Sequence, residues 1–348
     1  MQVISGFAGF VYSLNGHNVP AFFVEAMLKK LEIHARIGYN QQPGENKTEV
    51  DTMSEEKKRR RGDRRDGRWV RDVPGLQTVM AHLMPNRTDC EVFMNDSFDV
   101  TELLKYLEEK NASHPEYKTT MFHALIMSVA RMVKERPKMN RFIQGRRMYE
   151  RDEISLSFVC KRRFADNGEE SLMVFVPTDE DTLDTLSRRI VGDVRETRKS
   201  EVATGGIDEL LDKFAAMPRP LLMLVIRIIR WLDFWGVNPR FLTEGDPNYT
   251  SVLLSNLGSI KAPAVYHHLN NYGTNSIMIT VGTIRREELI MPDGHKEIRD
   301  VVDIGATLDE RIADGFYFAR SLKLVKHIFA HPELLDRPLG EPSGFDYQ

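Results

Sequence analysis

Two cysteines in 348 residues, Cys90 and Cys160, with no C-x-x-C spacing, exclude a disulfide framework and argue against structural zinc. An excess of one charge is also missing. The 48 Lys and Arg against 51 Asp and Glu leave a net charge of −3, without the global basicity of a nucleic-acid binder. The first 33 residues have no apolar run long enough to span a bilayer and lack the positive start of a signal peptide. A cytoplasmic protein is expected. What is present, 41% hydrophobic and 28% charged residues, is ordinary globular composition with enough chain for a substantial core.

The N-terminal part reads differently from the rest. Met1 to Ile33 mixes short apolar runs with Gly6, Gly9, Gly16 and Pro20, and Gln41 to Asp51 is polar and linker-like. Met53-Ser54-Glu55-Glu56 has the look of a natural start, so residues 1–52 are expected to be an extension, disordered or foreign to the native protein. Residues 53–86 form a basic arm, in which Lys57 to Arg71 holds nine Lys and Arg and two Asp. Either the arm docks on a neighbouring subunit or it makes an anion site for the phosphates of a ligand or for acidic lipid.

Periodicity places the elements. Glu91 to Phe98 alternates as a strand, and a helix capped by Asp99 or Ser97 runs to about Asn111. Met121, Phe122, Leu125, Ile126, Val129, Met132 and Val133 share one face of a helix from Thr119 to Glu135, in which His123 is read as packing. Strands follow at 148–149, 154–159 and 171–176, the last two joined by an Asp166-Asn167-Gly168 turn, and then a charged helix at 182–199. Leu221 to Trp235 is apolar almost all round apart from Arg227 and Arg230. It suits a helix buried at a subunit contact, a helix lying in a membrane surface, or plain core. Further strands are expected at 251–255, 276–284 and 300–307, with a Pro292-Asp293-Gly294 turn before the last, then a helix from Arg311 to Ala330 and a tail from 336 to 348.

Several short motifs, in order along the chain, resemble those of one family. Leu308-Asp309-Glu310-Arg311-Ile312-Ala313-Asp314-Gly315 closes a strand and opens a helix; Ser255-Asn256-Leu257-Gly258 follows a strand; Pro137 and Asn140 make a P-x-x-N turn after a helix. The chain is similar in these to the catalytic domains of the dihydrolipoamide acyltransferases of 2-oxoacid dehydrogenase complexes and to the related chloramphenicol acetyltransferases. The resemblance covers roughly residues 87–335, with an atypical apolar insertion at 205–243. It implies an α/β, chloramphenicol-acetyltransferase-like layered sandwich with a mixed sheet and flanking helices. It also implies a homo-oligomer, typically a trimer with active sites between subunits, acting on coenzyme A or an acyl-coenzyme A, with a lipoyl-bearing or acyl-carrier partner. No segment of this chain resembles a lipoyl domain, and no metal site is expected.

The family carries H-x-x-x-D-G where this chain has Glu310, Asp314 and Gly315, so its basic histidine is replaced by Glu310. By resemblance, Ser255 donates to the oxyanion of the tetrahedral intermediate, and Asn256 and Gly258 belong to the turn at the coenzyme. An imidazole with a pKa near 6.5 suits the deprotonation of a thiol near 8.5, whereas an ordinary glutamate near 4.3 lies about four pH units below it. Burial of Glu310 would raise its basicity, and pairing with Arg311 would lower it. His267 and His268 follow the Ser255 strand and offer substitute bases, a weak metal pair, or buried structural histidines. The bland readings are that Asp309-Glu310 is an acidic helix cap, that Ser255 is a turn cap, and that Asp314 only holds a backbone donor or an arginine. The function expected is acyl transfer from a coenzyme A thioester with an altered base. The alternatives are a pseudoenzyme, that is, a non-catalytic homo-oligomeric scaffold or ligand-binding descendant of the same fold, and a membrane-surface acyltransferase for lipid or polyketide acyl chains.

Overall fold

In the computed structural model, residues 59–113, 116–161, 170–199 and 214–347 are described. The expected extension at 1–52 and the Asp166-Asn167-Gly168 turn lie outside these residues. The described residues other than 218–224 make up one compact unit.

The chain order is β1 (Gly67–Trp69), α1 (Gly75–Leu83), β2 (Glu91–Asp99), α2 (Thr101–Ser113), α3 (Met121–Glu135), β3 (Arg141–Gln144), β4 (Arg147–Arg151), β5 (Leu156–Lys161), β6 (Glu170–Phe175), α4 (Leu183–Lys199), α5 (Arg219–Trp235), a one-turn α6 (Arg240–Thr243), β7 (Val252–Asn256), β8 (Ile277–Val281), β9 (Arg285–Ile290), β10 (Lys296–Asp309) and α7 (Gly315–Ala330). Among the described residues a large sheet runs β2-β10-β8-β7-β5-β6, with β9 hairpinned onto β10, and a small one runs β1-β4-β3. Pairs β5–β7 and β7–β8 are parallel and the others antiparallel, so the sheet is mixed, as expected.

Alternation along the strands divides the large sheet into two faces. Ile304, Ala306 and Leu308 of β10, Ile277, Ile279 and Val281 of β8, and Val252 and Leu254 of β7 enter one core with α3 and α7. Helix α3 is buried from His123 to Val133, which fits its apolar stripe. Its start is a capping box in which Thr120 accepts from the His123 backbone and the His123 ring accepts from the Thr120 amide. His123 is thus packing and cap together, and burial pushes its imidazole down to about 4.

Two expectations change. The C-terminal helix begins at Gly315, not Arg311, because Asp314 is its cap and accepts from the Tyr317 amide at 2.8 Å. Residues 337–341, expected as tail, supply backbone carbonyls to the fully buried Arg131 of α3. The described part of the basic arm also packs on its own chain, in addition to either role expected of it: β1 pairs with β4, and Arg64, 5% exposed, ion-pairs Asp233 at 3.1 Å. Asp233 also accepts from Gln144 at 2.6 Å and Asn238 at 2.8 Å, so α5 has a polar inner edge beside Ile229 and Leu232 while Arg227, Arg230, Trp231 and Phe234 face out. Although burial works against it, Asp66 and Asp233 hold the Arg64 guanidinium above its ordinary pKa. No described helix is long and apolar enough to cross a membrane.

Candidate acyl-transfer site

Strand β10 ends in a turn built on a buried ion pair. Asp309 and Arg311, 0% and 1% exposed, meet through two contacts of 2.8 and 2.6 Å, and Arg311 reaches back to the Met84 carbonyl at 2.8 Å. The Glu310 amide donates to the Cys90 carbonyl at 3.0 Å. Arg311 therefore pairs with Asp309 and not with Glu310, whose half-buried carboxylate forms no hydrogen bond or ion pair among the described residues. Asp309 closes a strand, so the expected acidic helix cap at Asp309-Glu310 is absent; Asp314 does that work. Burial, reinforced by Asp309 and Glu310 and opposed by Arg311, pushes the Cys90 thiol up to about 11.

Ser255 lies near the end of β7, half-buried, with no hydrogen-bond partner for its hydroxyl among the described residues. The following turn is tight. Asn256 accepts from the Ser259 amide, Lys261 is left-handed at φ 59°, and a Cβ on Gly258 would lie 2.4 Å from the Gly282 carbonyl oxygen. Asn256 and Gly258 thus have structural reasons to be what they are, besides any contact with a coenzyme.

Register fixes how Ser255 and Glu310 are related. Ser255 pairs with Thr280, and Thr280 with Gly305, across β7, β8 and β10. Glu310 is five residues further along β10, about 16 Å at roughly 3.3 Å per residue, and β10 is two strands away. Within one chain the two residues occupy opposite ends of the sheet.

The segment 261–271 joins those ends across the face away from the helices. Thr283 donates to Ala262, Thr280 Oγ1 to Val265, and the Leu269 amide to Glu91, while Tyr266 packs its ring on Phe93 at 5.2 Å. Gly282 and Gly305 make room for it, since a Cβ would lie 2.5 Å from the Ala264 nitrogen and 3.0 Å from the Val265 carbonyl oxygen. Beyond it, Asn271 accepts from the Arg87 amide at 2.8 Å, and the Arg87 guanidinium, lowered to about 10 by burial, donates to the Asn270 and Ile143 carbonyls. His267 and His268 ride on this strap and are exposed, not buried as structural histidines would be. Leu269 is anchored on Glu91, next to the Cys90 that holds Glu310, so the histidine pair belongs to the Glu310 end of the sheet. His267 Nδ1 faces the His268 carbonyl at 3.0 Å and His268 Nδ1 the Leu269 carbonyl at 3.1 Å. A carbonyl only accepts, so in the neutral ring this geometry favours the tautomer with the proton on Nδ1, which leaves Nε2 as the basic nitrogen. No cluster of three or more His, Cys, Asp or Glu suited to a metal occurs among the described residues.

No protein-family model matches the chain. It is 22% identical over 261 residues to the lipoamide acyltransferase component of the branched-chain alpha-keto acid dehydrogenase complex of Bacillus subtilis, covering 74% of this chain. The chain spans about half that protein, 47% of its length. A probable dihydrolipoamide acetyltransferase from Listeria monocytogenes superimposes with a TM-score of 0.50 at 18% identity, over 74% of this chain and 93% of that one. The cubic core of a pyruvate dehydrogenase multienzyme complex does so at 0.51 and 15%, over 77% and 94%. The sequence resemblance and the topology thus agree, and the chain has the fold of the dihydrolipoamide acyltransferase catalytic domains of 2-oxoacid dehydrogenase complexes.

Proposed function

We propose that the protein is an acyltransferase that moves an acyl group between a coenzyme A thioester and a thiol or hydroxyl acceptor, working as a homo-oligomer in the cytoplasm. The observation that carries this reading is a pair of groups on an acyltransferase fold that are unpartnered among the described residues: the Ser255 hydroxyl at one end of the sheet and the Glu310 carboxylate at the other. They are too far apart to act on one bond within a chain. A head-to-tail ring in which the Ser255 end of one subunit meets the Glu310 end of the next would complete the site. The trimer expected from the family resemblance satisfies this, and the cubic pyruvate dehydrogenase core, an assembly of the same fold, supports it.

In that site the acceptor loses its proton as it attacks the thioester carbonyl, Ser255 donates to the developing oxyanion, and collapse of the intermediate expels coenzyme A as thiolate. His267 or His268, with Nε2 free, is better matched to a thiol proton than an ordinary carboxylate. Glu310 then serves to orient the acceptor or the imidazole, and the Asp309–Arg311 pair and the Asp314 cap hold the turn that presents it. A lipoyl-bearing or acyl-carrier partner would deliver the acceptor.

The test is turnover of acetyl-coenzyme A with dihydrolipoamide and other small thiols, with oligomeric mass measured on the same sample. Ser255→Ala should lower turnover by at least about tenfold with the fold intact, and so should a His267→Gln/His268→Gln double variant. A folded oligomer that neither binds nor turns over any acyl-coenzyme A would leave the non-catalytic scaffold as the reading; co-sedimentation with anionic vesicles would favour the membrane-surface one.

A further inference from the structure

A cleft of about 1260 Å³ lies between the arm, the β3–β4 hairpin, α1 and the residues that follow α5. Five arginines line it: Arg60, Arg61 and Arg71 from the arm, and Arg146 and Arg147 from the hairpin. All five are exposed, and none is ion-paired to a carboxylate among the described residues. Their neighbours differ. Arg59 and Arg68 share Asp152, and Arg64 takes Asp66 and Asp233. The one acid in the lining, Asp63, accepts from the amides of Arg60 at 2.7 Å and Trp69 at 3.1 Å, and it offsets part of the charge of Arg71 without a direct ion pair. Arg71 and Arg147 stack on the Trp69 ring at 4.5 and 4.2 Å, which fixes two of the guanidinium planes.

The hairpin tip adds a second observation. Gly145 and Arg146 have φ of 55° and 61°, a two-residue turn in which glycine or asparagine is the usual second residue. A Cβ on Gly145 would lie 2.3 Å from the Phe234 carbonyl oxygen, so the tip is seated against the end of α5 and its direction is set. An arginine is held in left-handed backbone at the mouth of a cleft already rich in unpaired positive charge. The stacking on Trp69 favours the fold, but the convergence of like charges and the left-handed φ of a side chain with a Cβ work against it.

We propose that this cleft binds a small polyphosphate, a ligand with two or more adjacent phosphate groups, free or as the diphosphate of a larger molecule. Guanidinium forks match phosphate oxygens in bidentate geometry, and several converging forks suit adjacent phosphates better than a single carboxylate. Val70, Val73, Met148, Trp235 and Val237 supply an apolar wall for an organic remainder. The site contains none of Ser255, Glu310, His267 or His268, so it stands or falls apart from the acyl-transfer reading.

The experiment is calorimetric titration of inorganic triphosphate into the full chain at about 0.15 M salt, where nonspecific attraction is screened, with coenzyme A titrated separately. Saturable binding of one triphosphate per chain is expected, weakened about tenfold or more in Arg61→Ala/Arg147→Ala. Arg146→Gly should also weaken binding while its thermal midpoint stays or rises, since glycine accepts the left-handed backbone. A parallel loss of coenzyme A binding in these variants identifies the ligand as the diphosphate of coenzyme A; unchanged coenzyme A binding identifies a separate polyphosphate. Absence of saturable triphosphate binding, or wild-type affinity in the folded variants, overturns the proposal.

Discussion

The two turns that present Ser255 and Glu310 are held by opposite means. At the Ser255 end, backbone presses on backbone: Gly258 against Gly282, and Gly282 against Ala264, with hydrogen bonds from neutral groups. At the Glu310 end, a buried ion pair between Asp309 and Arg311 fixes the chain and ties it to α1 through Met84. The first turn is therefore sensitive to added volume and the second to lost charge. Each device leaves the central polar group without a partner of its own among the described residues.

Asp309→Asn should have the largest effect. It keeps the shape of the side chain but strands a guanidinium that is 1% exposed, with an expected loss of about 3–5 kcal/mol. Urea unfolding would measure it, and Asp309→Asn/Arg311→Met should recover much of the loss if charge, not packing, is the cause. Acid sensitivity must be separated from this. His123 titrates at about 4 in the fold against the ordinary 6.5, so the unfolded chain takes up the proton first as pH falls. The stability involved, about 3 kcal/mol, is fully present above pH 6.5 and is lost as pH drops towards 4. His123→Gln should flatten that slope in pH-dependent urea titrations.

Gly258→Ala tests the other end. Its Cβ would meet backbone 2.4 Å away, at an expected cost of about 1–3 kcal/mol and with a fall in turnover as Ser255 shifts. If Gly258→Ala is tolerated while Asp309→Asn is not, the Ser255 turn is softer than its contacts imply. The smallest effect is expected from Asp314→Ala, about 1 kcal/mol for a lost helix cap, with Asp314→Asn close to neutral in thermal unfolding. A much larger loss of turnover than of stability in Asp314→Asn would show that the carboxylate does more than cap α7.

Much of this fold is legible from patterns that are local. The apolar stripe of α3 and the alternation of β2 and β10 each reflect one face turned to a single core, and the Pro292-Asp293-Gly294 signal becomes the β9–β10 hairpin, with Gly294 at φ 89°. Strand β1 escapes a sequence reading because Gly67-Arg68-Trp69 is an arginine-rich edge whose partners, Tyr149 to Arg151, are distant in sequence. The polar edge of α5 is hidden for the same reason: Asp233 is explained by Arg64, 169 residues earlier. The start of α7 is misplaced because the acids at 309 and 310 look like a first helical turn, while Arg311 pulls Asp309 into the end of β10. Sequence order brings Ser255 and Glu310 to attention as one site. Only the register of three strands reveals that a single chain keeps them apart.

Arg131 sits at the centre of α3, fully buried, and its acceptors are the carbonyls of residues 337, 338 and 341, more than 200 positions later. During synthesis the helix is complete long before those carbonyls exist. Until they arrive, the core holds a guanidinium that must stay hydrated, so α3 cannot close over its charged centre. Docking of the C-terminal segment is then a late, long-range step in folding, and its rate is governed by loop closure over most of the domain.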